Sequence, residues 1–302
     1  MMPTTIVMRS YNDAALLPRT LAAIERQEGV DWRLHVLESA SSDGSPEILQ
    51  TFLQRHGGAA AGHRFTALEP GSYRSSRVLN RAMGAVEGGD AVFLNSDAVL
   101  EGTDALRRLL EALHADPRRA GVFGAQTVRP GASTMTRMEY AVAFGNRARL
   151  GAAAGWMSLV VSAIRCDAWR HIPFDERLTF AEDAVWSVAV ARQGWTTAFV
   201  PEVRAEHSHD YTPQQRYRRC FGDAAALACI ADRPPPGAWA GLWKPLVGRL
   251  VRDAILLLRM GRPWHAVLLP AHHWPRQRGA WDGARAGWAT WSRDPTADQA
   301  LP

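Results

Sequence analysis

Short β-branched or apolar runs alternate with segments of helical period from residue 4 to about residue 128. The runs TTIVMRS, LHVLES, FTALE, DAVFLNSD and GVFGAQTV have the length of strands, and segments such as SPEILQTFLQRHG have the length of helices. Strands that alternate with helices in this way form βαβ crossovers, which make the sheet mainly parallel and cover both of its faces. The sequence therefore predicts an α/β fold with a doubly wound sheet.

Polar segments close the predicted strands. The first strand ends in RSYND, the second in ESASSDGS and the fourth in NSDA. Each segment has a local explanation, since Asn12 and Asp97 are suitable helix caps and Gly44 is a suitable turn residue. In an open parallel sheet, however, the ligand binds outside the carboxyl ends of the strands. Because three polar strand ends converge on that edge, we expect a binding site there.

Two adjacent carboxylates, Glu182 and Asp183, begin the stretch EDAVWSVAVARQG, which has the pattern of a helix that stops at Gly194. One explanation is purely structural, because the positive end of a helix dipole stabilises ionised carboxylates. The other is catalytic, because a carboxylate held ionised at the edge of a cleft can accept a proton from a hydroxyl nucleophile. The residues alone leave both explanations open.

A histidine pair follows in the segment VPEVRAEHSHD. If this segment is extended, His207 and His209 lie on the same side of the chain, and together with Asp97 they offer ligands for a divalent cation. A solvated pair without metal is the alternative. Arg216, Arg218 and Arg219 come next and favour a phosphate-bearing ligand, unless they are simply the exposed face of a helix.

The chain divides into three predicted parts: two halves of the α/β domain at 1–128 and 129–232, and a helical extension at 233–302. Three consecutive prolines at 234–236 mark the last boundary. The extension holds seven of the twelve tryptophans and many arginines. Such a basic, amphipathic segment suits an anionic membrane surface, although packing on the α/β domain explains it as well.

Composition excludes several classes of protein. The 302 residues carry a net charge of +5 that is spread along the chain without a recognised motif, which argues against a nucleic-acid partner. The three cysteines lack disulfide or zinc spacing, and the N-terminus lacks the pattern of a secretory signal, so we expect a cytoplasmic protein, peripheral on the membrane at most. No Gly-x-Gly-x-x-Gly follows the first strand and no P-loop occurs, which disfavours dehydrogenases and P-loop enzymes.

Taken together, these motifs resemble glycosyltransferase family 2, whose members have the GT-A fold. The resemblance covers roughly residues 4–222: IVMRSYND is similar to the first strand, VLESASSDGS to the base-binding element, FLNSDA to the Asp-x-Asp motif, and AEDAVW to the Glu-Asp pair with the catalytic base. The segments around SYRSSRVLN, SAIRCDAWR and HSHDY look like the bacterial rhamnosyltransferase branch.

This resemblance implies an inverting transfer of L-rhamnose from dTDP-L-rhamnose to a glycan or lipid-linked glycan. It also implies that 1–128 is the nucleotide-sugar-binding half of the domain and 129–232 the acceptor- and metal-binding half. Asp183 would be the catalytic base, and Glu182 would orient the acceptor or brace Asp183. A divalent cation, Mg²⁺ or Mn²⁺, would bind Asp97, His207 and His209. The implied nucleotide-sugar-binding residues are Arg9, Tyr11, Asn12, Glu38, Ser39, Asp43, Arg77, Asn95, Ser96, Asp97, Arg216 and Arg219.

Two positions depart from the family pattern. Asn95 replaces the first aspartate of Asp-x-Asp, and Val161 stands where rhamnosyltransferases have a polar residue. The alternative function is therefore a non-catalytic protein of the same fold that binds a nucleotide sugar without turnover.

Overall fold

The computed structural model describes residues 3–145, 151 and 156–299 of the chain. In this part, eight strands form one sheet in the order β3-β2-β1-β4-β7-β6-β8-β5. Their bounds are β1 Thr4–Ser10, β2 Trp32–Glu38, β3 Arg64–Ala67, β4 Asp90–Asn95, β5 Val99–Leu100, β6 Arg119–Thr127, β7 Val161–Arg165 and β8 Thr196–Glu206. The described helices, labelled α1 to α10 in chain order, are Leu17–Glu25, Ser45–Arg55, Ser75–Gly84, Ala105–His114, Thr134–Ala143, Cys166–His171, Glu182–Arg192, Pro213–Leu227, Lys244–Arg259 and Leu269–Arg293.

The sheet is mainly parallel, which confirms the predicted fold class. Strands β1 to β4 pair in parallel, and β6 pairs in parallel with β8. Strand β7 lies antiparallel between β4 and β6, and the two-residue β5 lies antiparallel to β8 at the edge. The periodicity of the sequence did not reveal these antiparallel insertions, because a short buried strand has the same pattern in either direction.

Both faces of the sheet are covered by helices. Along β1, Ile6 and Met8 pack in one hydrophobic cluster with α1, α2 and α4, whereas Val7 packs in a second cluster with α3, α6 and α7. Consecutive side chains of a strand point to opposite faces, so a strand that is apolar throughout is buried on both. The carboxyl ends of the parallel strands are therefore the part of the sheet left open to a ligand.

The C-terminal extension is helical, as predicted, and its two long helices differ in environment. Helix α10 packs tightly on α8, because Gly279, Gly283 and Gly287 face the α8 backbone so closely that a Cβ atom at any of them would collide with it. The Trp291 side chain also donates a hydrogen bond to the Ala225 carbonyl, 3.1 Å away. Helix α10 is thus part of the folded core, which is one of the two alternatives left open by the sequence.

Helix α9 instead keeps one face exposed. Val247, Val251, Ile255 and Leu258 recur at intervals of four, four and three residues, and all are about half exposed or more. Across the part of the chain that the structure describes, no helix combines the length and the hydropathy that a membrane crossing requires.

Candidate active site

Two cavities meet at the carboxyl ends of the parallel strands, as the topology predicts. The smaller has a volume of about 450 Å³ and the larger about 620 Å³. Arg9, Tyr73 and Asn95 line both cavities. We call the smaller the strand-end cavity and the larger the acid cavity, because Glu182 and Asp183 lie in its wall.

The strand-end cavity contains half of the residues that the resemblance assigns to the nucleotide sugar. Its walls are formed by Arg9, Ser10, Tyr11, Asp13, Ser39, Gly71, Tyr73, Asn95, Ser96 and Asp97. The Tyr11 side chain is 61% exposed, so its ring is free to stack on a planar ligand. The arrangement offers an aromatic surface at the rim and carboxylates and hydroxyls at the base.

Three other assigned residues shape the loops around this cavity without lining it. The Asn12 Oδ1 accepts a hydrogen bond from the Ser42 amide at 2.9 Å, and the Asp43 Oδ2 accepts one from the Ala14 amide at 2.9 Å. These contacts join the loop after β1 to the loop after β2. The buried Glu38 carboxylate is occupied by the amides of its own loop, at residues 40 and 41.

Arg77 lies apart from both cavities. Its guanidinium is 3.7 Å from the Asp298 carboxylate, in the segment that follows α10. Val161 is a buried core residue that pairs with Leu94 across the sheet. The apolar residue at this position therefore supports the packing of β7 against β4.

Asp97, His207 and His209 come together where the two cavities join. Their ligand atoms all lie within 4.8 Å of one another. Among the described residues, this is the group of three potential metal ligands that meets this distance. The His209 Nε2 is 3.1 Å from the Asp97 Oδ2, and the His207 Nε2 is 3.5 Å from the Oδ1. Two imidazoles and one carboxylate are ligands that suit a divalent metal ion.

A hydrogen bond orients His207 for this role. Its Nδ1 is 2.8 Å from the Gln126 Oε1, and the Gln126 amide nitrogen in turn donates to the Ser158 hydroxyl at 3.1 Å. An amide oxygen only accepts, so the Nδ1 carries the proton and the Nε2 lone pair faces Asp97. Burial also lowers the pKa of His207 to about 4, which keeps the ring neutral and able to ligate a metal.

Arg129 also binds Asp97, at 2.8 Å from its Oδ2. Burial alone raises the pKa of Asp97, but the hydrogen bonds from His209 and Arg129 outweigh it and hold this pKa well below its usual range. The Asp97 carboxylate is therefore ionised at neutral pH, which a metal ligand requires.

Glu182 is held by a network that crosses the sheet. The Arg9 guanidinium donates to the Glu182 carboxylate at 2.8 Å and to the Asn95 Oδ1 at 3.1 Å, and the Ser75 hydroxyl also binds Glu182. Asn95, at the first position of the Asp-x-Asp motif, thus contacts an arginine and does not belong to the metal group. Glu182 is thus ion-paired with Arg9, whereas the described hydrogen-bond partners of its neighbour Asp183 are backbone amides.

Asp183 is the second residue of the predicted helix, which the structure places at Glu182–Arg192. Its side chain lines the acid cavity. Among the described residues, the amides of Leu159 and Ala184 donate hydrogen bonds to its carboxylate, at 3.2 Å and 2.8 Å. Burial, followed by the nearby charge of Glu182, raises the pKa of Asp183 to about 6. A half-buried carboxylate with this pKa is ionised at neutral pH and more basic than an ordinary aspartate, as a general base needs to be.

Arg216 and Arg219 line the acid cavity on α8. Arg216 is buried and donates to the Glu139 carboxylate at 2.8 Å, whereas Arg219 donates to the Tyr211 hydroxyl at 2.9 Å. Since Arg216 already has a carboxylate partner, Arg219 is the cation better able to meet an anionic ligand.

Several residues of the site escaped the sequence analysis. They are Tyr73, Ser75, Gln126, Arg129, Glu139, Tyr211 and Arg276. Tyr73 and Tyr211 lie within segments that carried the resemblance, so that comparison offered a signal for both. The contact between Arg129 and Asp97 joins residues 32 positions apart, and no local pattern indicates it.

A fold of this kind, with an acid pair and a metal-ligand group at its strand ends, is that of a nucleotide-sugar-dependent transferase. The sequence profile of Glycosyltransferase like family 2 matches residues 2–225. The chain belongs to this family.

Its relatives include rhamnosyltransferases. The O-antigen chain rhamnosyltransferase WbaN of Salmonella anatum is 25% identical over 237 residues, which are 74% of this chain and 72% of that protein. The O-antigen chain rhamnosyltransferase RfbN of Salmonella typhimurium is 24% identical over 239 residues, 76% of this chain and 73% of that protein.

Solved structures share the fold. The mannosyltransferase PcManGT from Pyrobaculum calidifontis, in complex with GDP-Man and Mn²⁺, superposes with a TM-score of 0.63 at 20% identity, covering 96% of this chain and 88% of that one. Residues 1–349 of S. aureus TarS, in complex with UDP, give a TM-score of 0.51 at 15% identity, covering 97% and 92%. Both likenesses concern the fold.

Proposed function

We propose that this glycosyltransferase transfers L-rhamnose from dTDP-L-rhamnose to a glycan or lipid-linked glycan, with inversion at the anomeric carbon. The observation that carries the proposal is that a basic carboxylate, Asp183, lines the same cavity as His207 and His209. A base for the acceptor and ligands for the departing diphosphate are the two requirements of a direct displacement.

The displacement transfers one proton to Asp183 and one bonding electron pair to the leaving diphosphate. Asp183 accepts the proton of the acceptor hydroxyl while the oxygen attacks the anomeric carbon from the side opposite the diphosphate. The bond from that carbon to the diphosphate oxygen breaks, and the nucleoside diphosphate leaves with the bonding electrons. A single displacement of this kind inverts the configuration of the carbon.

The departing diphosphate gains negative charge, so groups that bind it more strongly as it leaves accelerate the reaction. Asp97, His207 and His209 would hold a divalent cation, which supplies Lewis-acid stabilisation of that charge. Arg219 lines the same cavity and carries a positive charge that supports the same role.

The donor and acceptor classes come from the relatives. Two relatives named O-antigen chain rhamnosyltransferases support rhamnose as the transferred sugar and a cell-envelope glycan as the product. A fold neighbour that holds GDP-Man and Mn²⁺ supports a nucleotide-sugar donor with a divalent cation. The enzyme would therefore work on the cytoplasmic side of the plasma membrane, where lipid-linked glycans and nucleotide sugars meet.

Thermal unfolding with and without nucleotides tests this proposal. We expect dTDP and dTDP-L-rhamnose, each with Mn²⁺ or Mg²⁺, to raise the Tm more than UDP or GDP does. A ligand at a hundred times its Kd adds about 2.7 kcal/mol to the free energy of unfolding. The Asp97→Asn variant is the control and should lose the metal-dependent part of the shift. If no nucleotide shifts the Tm, the non-catalytic alternative is favoured.

The exposed face of α9 supports docking on an anionic membrane. Trp239 precedes α9 in the chain, Trp264 and Val267 follow it, and they are 72%, 66% and 78% exposed. The exposed cations Lys244 and Arg259 stand at the two ends of the helix. Indole rings and cations on an apolar helix face match the headgroup region of a bilayer with anionic lipids.

Vesicle flotation tests this docking. Because α10 is part of the core, point substitutions are preferable to deletion of the extension. We expect Val251→Asp with Ile255→Asp to weaken binding to phosphatidylglycerol vesicles by at least about tenfold, since each buried aliphatic side chain contributes about 1.5–3 kcal/mol. Gln50→Asp with Gln54→Asp adds the same charges at the same spacing on exposed positions of α2 and is the control. Equal flotation of both variants would contradict the docking role.

A further inference from the structure

The segment after α10, residues 294–299, returns to the candidate active site. Its last described residue, Gln299, is buried, with only 4% of its surface exposed. The Gln299 backbone amide donates to the Arg177 carbonyl at 3.0 Å. This places a buried amide side chain against the loop that precedes Glu182 and Asp183.

Two consecutive backbone amides of this loop donate to the Gln299 side chain. The Gln299 Oε1 accepts from the Thr179 amide at 2.8 Å and from the Phe180 amide at 3.0 Å. Its Nε2 donates to the Gly222 carbonyl at 2.6 Å. A single side chain therefore ties the loop to α8, since Gly222 lies on that helix.

The next residue of the loop, Ala181, has a φ of 51°, in the left-handed region that costs free energy for a residue with a Cβ. The α7 helix begins directly after it, with Glu182 and then Asp183. A backbone in this conformation persists only when its surroundings fix it. The Gln299 side chain holds the backbone amides of the two residues immediately before Ala181.

The same segment contacts the other side of the acid pair. Asp298 lies 3.5 Å from Arg74 and 3.7 Å from Arg77, at the start of the α3 helix that carries Ser75. Ser75 binds Glu182. These ion pairs are exposed and contribute little, so the buried Gln299 amide is the stronger of the two connections.

We propose that Gln299 is a positioning residue for the catalytic base: its side-chain amide holds the loop 177–181 so that Asp183 faces the acid cavity. The role of Asp183 in this statement rests on the proposed function, whereas the fixing of the loop does not. Displacement of a catalytic group by about 1 Å lowers the rate by up to about 10²-fold.

Two substitutions separate the hydrogen bonds from the packing. Gln299→Met keeps the volume and loses the hydrogen bonds, and Gln299→Glu keeps the acceptor for both loop amides. Thr296→Ala is the control, because Thr296 lies in the same segment and bonds only to Asp294 among the described contacts.

Hydrogen–deuterium exchange gives a readout that does not need activity. We expect Gln299→Met to speed exchange of the Thr179 and Phe180 amides at least about tenfold, with Gln299→Glu and Thr296→Ala close to the unmodified protein. Exchange rates in Gln299→Met equal to those of the unmodified protein would overturn the proposal.

Steady-state kinetics give the second readout. We expect Gln299→Met to lower kcat about tenfold or more with the donor KM within about twofold, and Gln299→Glu to recover most of kcat. A lower Tm with an unchanged kcat in Gln299→Met would reduce Gln299 to a structural residue and overturn the positioning role. If the unmodified protein transfers no sugar, the proposed function fails, and the exchange result alone decides whether Gln299 fixes the loop.

Discussion

Replacing Asp183 by asparagine should lower kcat by roughly 10²–10⁴-fold, the range that a general base contributes. Asparagine keeps the size of the side chain and one acceptor oxygen, so it retains the hydrogen bond from one of the two amides, that of Leu159 or that of Ala184, and loses the other. Donor diphosphate affinity should persist, because the strand-end cavity does not include Asp183. The measurement is initial-rate kinetics over pH 5 to 8, together with dTDP binding.

The pH dependence of the unmodified enzyme follows from the same residue. Burial and the neighbouring Glu182 raise the pKa of Asp183 to about 6. Only the ionised carboxylate accepts a proton, so kcat should rise as the pH increases through about 6 and level off above it. The residual rate of Asp183→Asn should lack this rise.

Asp167→Asn is the matched control. Like Asp183, Asp167 is an acid in the first turn of a helix, here α6, but it is exposed and does not line the acid cavity. It should keep the full rate and the same pH profile. An Asp183→Asn enzyme with unimpaired turnover would remove Asp183 from the mechanism and leave only its stabilising role at the helix end.

The second large effect concerns the metal group. Asp97→Asn should weaken Mn²⁺ binding and lower kcat/KM by about 10²-fold or more, because it removes the single carboxylate from a group whose other two ligands are imidazoles. The Arg129 guanidinium would then lie beside His207 and His209 without the negative charge of Asp97, with which it now forms an ion pair. Calorimetric titration with Mn²⁺ measures the binding, and a chelator series measures the dependence of activity on the cation.

Asp104→Asn serves as the control, since Asp104 also pairs with arginines but lies at the exposed start of α4. It should leave both Mn²⁺ affinity and rate unchanged. Full activity after chelation, together with equal rates for the two variants, would show that catalysis proceeds without a cation on Asp97.

The sequence predicted the features that depend on neighbours along the chain. Alternating strands and helices predicted the covered sheet, and the position of Glu182 and Asp183 before an apolar helix predicted that they begin it. Gly194 ends that helix region with a φ of 84°, as a glycine at that position favours. The spacing of His207 and His209 predicted that both would lie on one side.

Other features depend on residues far apart in sequence, which local patterns do not encode. Arg9 and Glu182 are 173 positions apart, yet their contact gives Glu182 a cationic partner and leaves Asp183 as the candidate base. The Gln299 contacts with the loop at 179 and 180 span 120 and 119 positions. Each of these side chains has many local conformations, and the packing of helices and strands selects one.

The amphipathic extension shows the same division within one segment. Its composition determined that α9 and α10 would be helices with apolar faces, but both tight packing and an exposed surface fit that composition. The tertiary structure decided between them, because the small glycine side chains of α10 allow its backbone to approach α8, whereas Val251 and Ile255 of α9 are left about half exposed. Periodicity determines that a helix has an apolar face, and only the surrounding fold determines what that face contacts.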